Sequence, residues 1–172
     1  MSRQATPRQT EILKDFAARS LLVSRELNAP LAEVWRAYTE PEMLDQWWGP
    51  APWRAETKTM DFRPGGYWLY AMVSPENQRH WGRMDYVSIS HHRNFVITDA
   101  FCDEDGQVNT ALPISKGQVT FSASGSGTRV EFKMFYPTEE ALRKIIEMGF
   151  AEGITACLDQ LDALLGTGES AS

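Results

Sequence analysis

Residues 138–166 read TEEALRKIIEMGFAEGITACLDQLDALLG. Thr138 suits an N-cap, because its hydroxyl can accept from amide N–H groups that the first turn leaves unpaired. Glu139 and Glu140 place negative charge at the positive end of the helix dipole. Phe150, Ile154, Cys157, Leu158, Leu161 and Leu165 recur at helical spacing as one apolar stripe, and Gly166 can end the run. The pattern predicts one helix of roughly 27 residues. Gly149 and Gly153, four apart, fall on one face. Each glycine costs about 1 kcal/mol against alanine in a helix. The pair therefore points to a sheet or a ligand approaching the backbone, or to a flexible joint.

A long helix with one apolar stripe needs a surface to lie on, and the preceding chain supplies strands. Strand-like runs fall near 20–27, 53–62, 66–73, 79–89, 94–102, 116–123 and 127–136. Polar breaks divide them: RPGG (63–66), SPEN (74–77), DEDG (103–106) and SGSG (124–127). In RPGG, Pro64 fixes φ at the second turn position and Gly65 supplies a positive φ at the third. Two short helices follow the first strand. One is opened by Pro30; the other has a Thr39/Glu42 capping box and is stopped by Gly49–Pro50 after Trp47 and Trp48. Residues 103–114 form the longest irregular piece and a candidate lid. Residues 1–18 read as an N-terminal extension in which Thr6, Pro7 and Gln9 can cap a short helix carrying Ile12 and Phe16. The domain spans 19–166, and 167–172 read as a disordered tail. The fold class is α+β: a curved antiparallel sheet of about six or seven strands on a long C-terminal helix.

Bulk properties exclude several roles. The formal charge of −6 and the lack of any Lys/Arg run argue against a nucleic-acid partner. No stretch approaches the ~18 apolar residues of a membrane span, and the N-terminus lacks an export signal. Cys102 and Cys157 are far apart and match no metal-ligand spacing, so free thiols in a cytoplasmic protein are expected, with no metal and no cofactor.

Strand alternation singles out one face. Trp68, Tyr70 and Met72 share a face, as do His80, Gly82, Met84 and Tyr86 on the next strand. Phe95, Ile97, Asp99 and Phe101 align, and so do Phe132, Met134 and Tyr136. Aromatic rings with polar tips and flexible thioethers suit a surface that must fit an apolar guest. From the helix, Ile145, Gly149 and Gly153 would complete the wall. The segment QWWGPAPWRAETKTMDFRPGG (46–66) sets aromatic surface beside turns. One of Trp47 and Trp48 is expected to pack as core and the other, taken as Trp48, to line the mouth; Trp53 begins the next strand.

Groups capable of chemistry are few. His91 and His92 sit in a polar turn and read as solvated. His80 shares the inward face and could donate to a ligand or act as a base. Asp99 among aromatics would have a raised pKa and could serve as an acid or base. Asp61 and Arg63 read as braces of the RPGG turn.

Five pieces, RELNAPLAEVWRAYTEPEMLDQWWGP, MDFRPGGYWLYAMVSP, WGRMDYVSI, AFCDEDG and EMGFAEGITACLDQLDALL, resemble in order the family named for the activator of the 90-kDa heat-shock protein's ATPase. That family falls in the helix-grip superfamily of START domains, the birch-pollen allergen and polyketide cyclases. The resemblance covers roughly residues 20–166. It implies a curved sheet gripping a long C-terminal helix with a cavity between them. Family members often carry Trp where this chain has Ile154, and an acidic residue and prolines where it has Ser88, Ser90, His91 and His92.

The expected function is binding of a small hydrophobic or aromatic molecule in such a cavity. One alternative is a cavity enzyme of the polyketide cyclase, dehydratase or hydrolase type using His80 or Asp99. Another is a co-chaperone-like ATPase activator, which is not expected because the chain has no room for the extra N-terminal domain of eukaryotic activators. A homodimer through a sheet edge is compatible with the pattern.

Overall fold

The computed structural model describes residues 9–170. In chain order these form β1 (Glu11–Asp15), β2 (Ser20–Leu27), α1 (Leu31–Thr39), α2 (Pro41–Trp47), β3 (Arg54–Met60) and β4 (Tyr67–Val73). There follow β5 (Arg79–Ser90), β6 (Asn94–Cys102), β7 (Ser115–Ser124), β8 (Gly127–Phe135), α3 (Glu139–Glu147) and α4 (Phe150–Ser170). The strands make one open antiparallel sheet in the order β1-β2-β8-β7-β6-β5-β4-β3. The α+β expectation holds, with eight strands rather than six or seven.

The additional strand is β1. A short helix was expected there, with Ile12 and Phe16 on one side; instead Ile12 pairs with Val23 and Leu13 with Leu22. An isolated helix of two turns is marginal in water, whereas the free edge of β2 offers a ready ladder of backbone hydrogen bonds. The capping residues Thr6 and Pro7 lie outside the described residues.

The helix caps follow local chemistry. Thr138 accepts from the Ala141 N–H at 3.0 Å, as its position predicts. The Thr39/Glu42 box does not form, because Pro41 starts α2 and makes Glu40 its N-cap. Thr39 remains inside α1 and its hydroxyl donates to the Trp35 carbonyl at 2.8 Å. Gly65 takes φ +86° and the Gly66 N–H donates to the Arg63 carbonyl, closing the expected turn.

The C-terminal helix is not continuous. Gly149 adopts φ +91° and its N–H donates to the Ile146 carbonyl, so α3 ends there and α4 begins at a new angle. Glycine enters this left-handed backbone with little penalty, and that ease outweighs one further turn of helix. At the other end Gly166 does not stop the helix. The α4 backbone continues to Ser170, so 167–170 are helical where a disordered tail was expected, and 171–172 lie outside the described residues.

The two glycines therefore play different parts, and substitution separates them. Gly149→Ala forces a Cβ into positive φ and is expected to destabilise by about 1–2 kcal/mol. An added Cβ at Gly153 would meet only Pro50 Cγ, at 4.0 Å. Gly153→Ala should thus stabilise by about 0.5–1 kcal/mol. Urea denaturation of both variants checks this; equal shifts would mean an unbroken helix.

α4 grips the concave face through Leu158 and Leu161, both fully buried, and through a buried cation. Arg25 of β2 is only 3% exposed and reaches Asp159 at 2.6 Å and Asp162 at 3.3 Å. At the end of the concave face nearest α1, Trp35 and Tyr38 fill the space. Trp35 meets Phe121 edge-on at 5.0 Å between ring centres, and Tyr38 meets Phe121 at 5.1 Å and Trp47 at 4.8 Å. That half is solid core.

Candidate functional site

The half of the concave face that α1 does not reach is hollow. A half-open cavity of about 230 Å³ lies between the sheet, the α3–α4 junction and the loop after α2. The sheet contributes Tyr70 and Met72 of β4, His80, Trp81 and Gly82 of β5, Asp99, Ala100 and Phe101 of β6, and Ser115 of β7, with Tyr136 just beyond β8. The helices add Ile145, Phe150, Gly153, Ile154 and Cys157; the loops add Trp48, Pro50 and Pro113. An apolar cavity of about 150 Å³ accommodates benzene, so this one has room for a substituted ring.

The mouth is fixed by α4. The Gln160 side chain donates to the carbonyls of Trp47 and Gly49, each at 2.9 Å, and accepts from the Ala51 N–H at 2.7 Å. Gly49 N–H also donates to the Cys157 thiol at 3.2 Å. These contacts divide the tryptophan pair. Trp47 is fully buried and donates to the Ala37 carbonyl at 2.9 Å, while Trp48 turns to the cavity wall.

Of the inward residues read from the sequence, Trp48, Tyr70, Met72, Phe101, Tyr136, Ile145 and Gly153 line the cavity, together with His80 and Asp99. Trp68, Met84, Tyr86, Phe132 and Met134 do not; they are buried core. Trp68 stacks under Tyr70 at 4.1 Å, and its indole donates to Thr57 Oγ1. Tyr86 packs edge-on against Phe62 at 4.8 Å, and Phe132 lies against Tyr38. Met134 lies over Gly117, where its sulfur fills the space a side chain would need. Gly149 does not line the cavity either; its role is the break between the helices. Strand parity gives the inward face but not how far along it α1 fills the concavity, and that placement divides lining from core.

Sequence reasoning passed over Gln160, Ser115, Pro113 and Trp81, read Pro50 only as a helix stop, and read Phe150 and Cys157 only as helix stripe. The 103–114 loop is not a lid. Its first part folds onto the outer face of the sheet, where Lys58 donates to the Glu104 carbonyl and Arg83 to the Gly106 carbonyl. Only Pro113 of the loop reaches the cavity.

Asp99 gives the cavity its electrostatic character. No lining residue is Lys or Arg. Burial in the apolar wall pushes the Asp99 carboxyl up to about 7; the Ala100 N–H bonded to it works the other way, and Asp85 adds a little repulsion. Burial also raises Tyr70 and Tyr136, and Asp99 reinforces both shifts, so both phenols keep their protons. The Cys157 thiol is raised by burial to about 11 and stays neutral. His80 sits exposed at the rim with its ring tilted against Trp53 at 5.4 Å. His91 is exposed, as expected, and His92 half-buried; their rings stack at 3.9 Å and meet the edge of Trp35, away from the cavity. Asp61 and Arg63 pair at 2.6 Å in their turn. Among the described residues no group of His, Cys, Asp or Glu could hold a metal ion, and no helix is long and apolar enough to cross a membrane.

Comparison with known proteins places this arrangement. Residues 28–166 match the family described as activator of Hsp90 ATPase homolog 1-like protein. The chain belongs to that family. A crystal structure of a Mycobacterium smegmatis protein superposes with a TM-score of 0.85 at 33% identity, covering 92% of this chain and 97% of the other. A solution structure from Arthrobacter aurescens gives 0.86 at 29% identity, covering 91% of each chain. A Staphylococcus epidermidis protein gives 0.80 at 25%, covering 91% and 94%. No curated protein matches the chain. Membership in the activator-homologue family carries the helix-grip fold and the general role of a ligand-binding or activator domain, without a particular ligand.

Proposed function

We propose that this activator-homologue protein binds a small apolar or aromatic molecule between its sheet and the α3–α4 junction. The observation that carries the reading is the 230 Å³ hollow, walled mainly by aromatic and aliphatic side chains with a few convergent polar groups. Burying about 300 Å² of apolar ligand surface supplies roughly 7 kcal/mol before association costs, so micromolar affinity is the ceiling without polar anchors. The experiment is native mass spectrometry of the protein purified under non-denaturing conditions. A retained small-molecule adduct that is lost from a cavity-filled variant is the expected result. A bare polypeptide mass that stays bare on addition of single-ring hydrocarbons would oppose the reading.

Asp99 favours a second reading, acid/base turnover within the same cavity, because a carboxyl near neutrality suits proton transfer at physiological pH. It predicts a pH–rate profile that Asp99→Asn abolishes; unchanged turnover in Asp99→Asn would remove it. The chaperone-activator reading rests on the family name, and no feature of the cavity serves it.

A further inference from the structure

The polar groups of the cavity have a sense of direction that narrows the guest. The Trp48 indole N–H is buried beside the Tyr70 hydroxyl without a hydrogen bond of good geometry, yet close enough to favour the ionised form of that phenol. The indole can only donate, so this corner of the cavity offers a buried donor that no protein group accepts. The Ser115 hydroxyl lies beside that of Tyr136. Both phenols line the cavity and keep their protons. Asp99, opposite Ser115 in the β6–β7 register, faces the same space and acts electrostatically on both hydroxyls.

We propose that the guest is an uncharged single-ring molecule bearing a carbonyl-type acceptor oxygen, and that the Tyr70 and Tyr136 hydroxyls hold this oxygen beside the Asp99 carboxyl. The inference rests on the ligand-binding reading above and specifies its chemistry. The Trp48 indole and the two phenols can donate, and a carbonyl oxygen with two lone pairs accepts from two such groups. A carboxylate guest meets repulsion from Asp99 as that group ionises. A hydrocarbon leaves the donors unpaired.

Binding is linked to protons. The titratable groups around Asp99 are Tyr70 from β4, His80 and Asp85 from β5, Cys102 from its own strand, Tyr136 beyond β8 and Cys157 from α4. β7 contributes the Ser115 hydroxyl and α3 only Ile145. The phenols and thiols are raised above their ordinary values and hold their protons through neutrality. With Asp99 near 7, its protonated fraction falls about ten-fold from pH 6 to pH 8, and the apparent affinity for an acceptor guest falls with it.

The test uses three probes on one skeleton, acetophenone, ethylbenzene and 1-phenylethylamine, titrated calorimetrically into the full chain at pH 6 and pH 8. Acetophenone is expected to bind most tightly at pH 6 and to weaken about ten-fold at pH 8. Tyr70→Phe and Tyr136→Phe should each weaken acetophenone by about three- to ten-fold and leave ethylbenzene unchanged. Asp99→Asn keeps a donor without a charge and should remove the pH dependence, whereas His80→Gln should keep it. Equal affinity for ethylbenzene, or preference for the amine at pH 8, overturns the acceptor inference and leaves the cavity reading standing. Failure of all three probes to bind overturns both.

Discussion

Asp99→Asn is expected to stabilise the fold by about 3 kcal/mol at pH 8 and to change it little at pH 4. A free aspartate titrates at 3.8 and the buried one at about 7. Between those values the folded chain binds more protons than the unfolded chain, so stability falls as pH rises and levels off above 7. The gap between those two values corresponds to roughly 4 kcal/mol, and access of water through the half-open cavity reduces it. Asparagine has no charge to desolvate, so the variant loses this part of the pH dependence. Urea denaturation of both proteins at pH 5, 6, 7 and 8 measures it, because every other titrating group cancels in the difference. Parallel stability curves would show that Asp99 is paired or solvated.

The second large effect belongs to Ile154, which projects from α4 into the cavity and is 5% exposed. Ile154→Trp sets a bicyclic ring into the hollow. In a filled core that change would overpack and destabilise by about 1–3 kcal/mol. Into a void of 230 Å³ it is expected to be neutral or stabilising, while affinity for a single-ring guest falls by about two orders of magnitude. The pairing of unchanged stability with lost binding is the signature. Destabilisation with retained binding would place the guest elsewhere. The indole at this position would also restore the residue that family members often carry.

Much of this was legible in the sequence. Strand runs, the two short helices, the RPGG turn and the Thr138 cap follow from periodicity and turn chemistry, which act over a few residues. Four features were not. Residues 11–15 carry a weak helical pattern, but partners in β2, from Ser24 opposite Glu11 to Ser20 opposite Asp15, decide them and capture them as an edge strand. Gly149 and Gly153 look equivalent at i, i+4, yet one breaks the helix at positive φ and the other opens the wall beside Pro50. Nothing local distinguishes them. The inward face was readable as a face, but Trp35 and Tyr38 claim part of it, and that depends on how α1 lies across the sheet. Hence Tyr70 and Met72 line the cavity while Tyr86 and Phe132 are core. The Gln160 staple was equally hidden, since a glutamine on a helix gives no sign of a loop over a hundred residues earlier.

The central claim is that a small guest enters the space between β4–β7 and the α3–α4 junction. Isotope-filtered nuclear Overhauser spectroscopy of methyl-labelled protein with ethylbenzene tests it directly. Ring protons of the guest are expected to contact the methyls of Met72, Ile145 and Ile154 and none of Leu13, which is 65% exposed on the outer sheet. Contacts confined to surface methyls such as Leu13, or no contacts at all, would contradict the account.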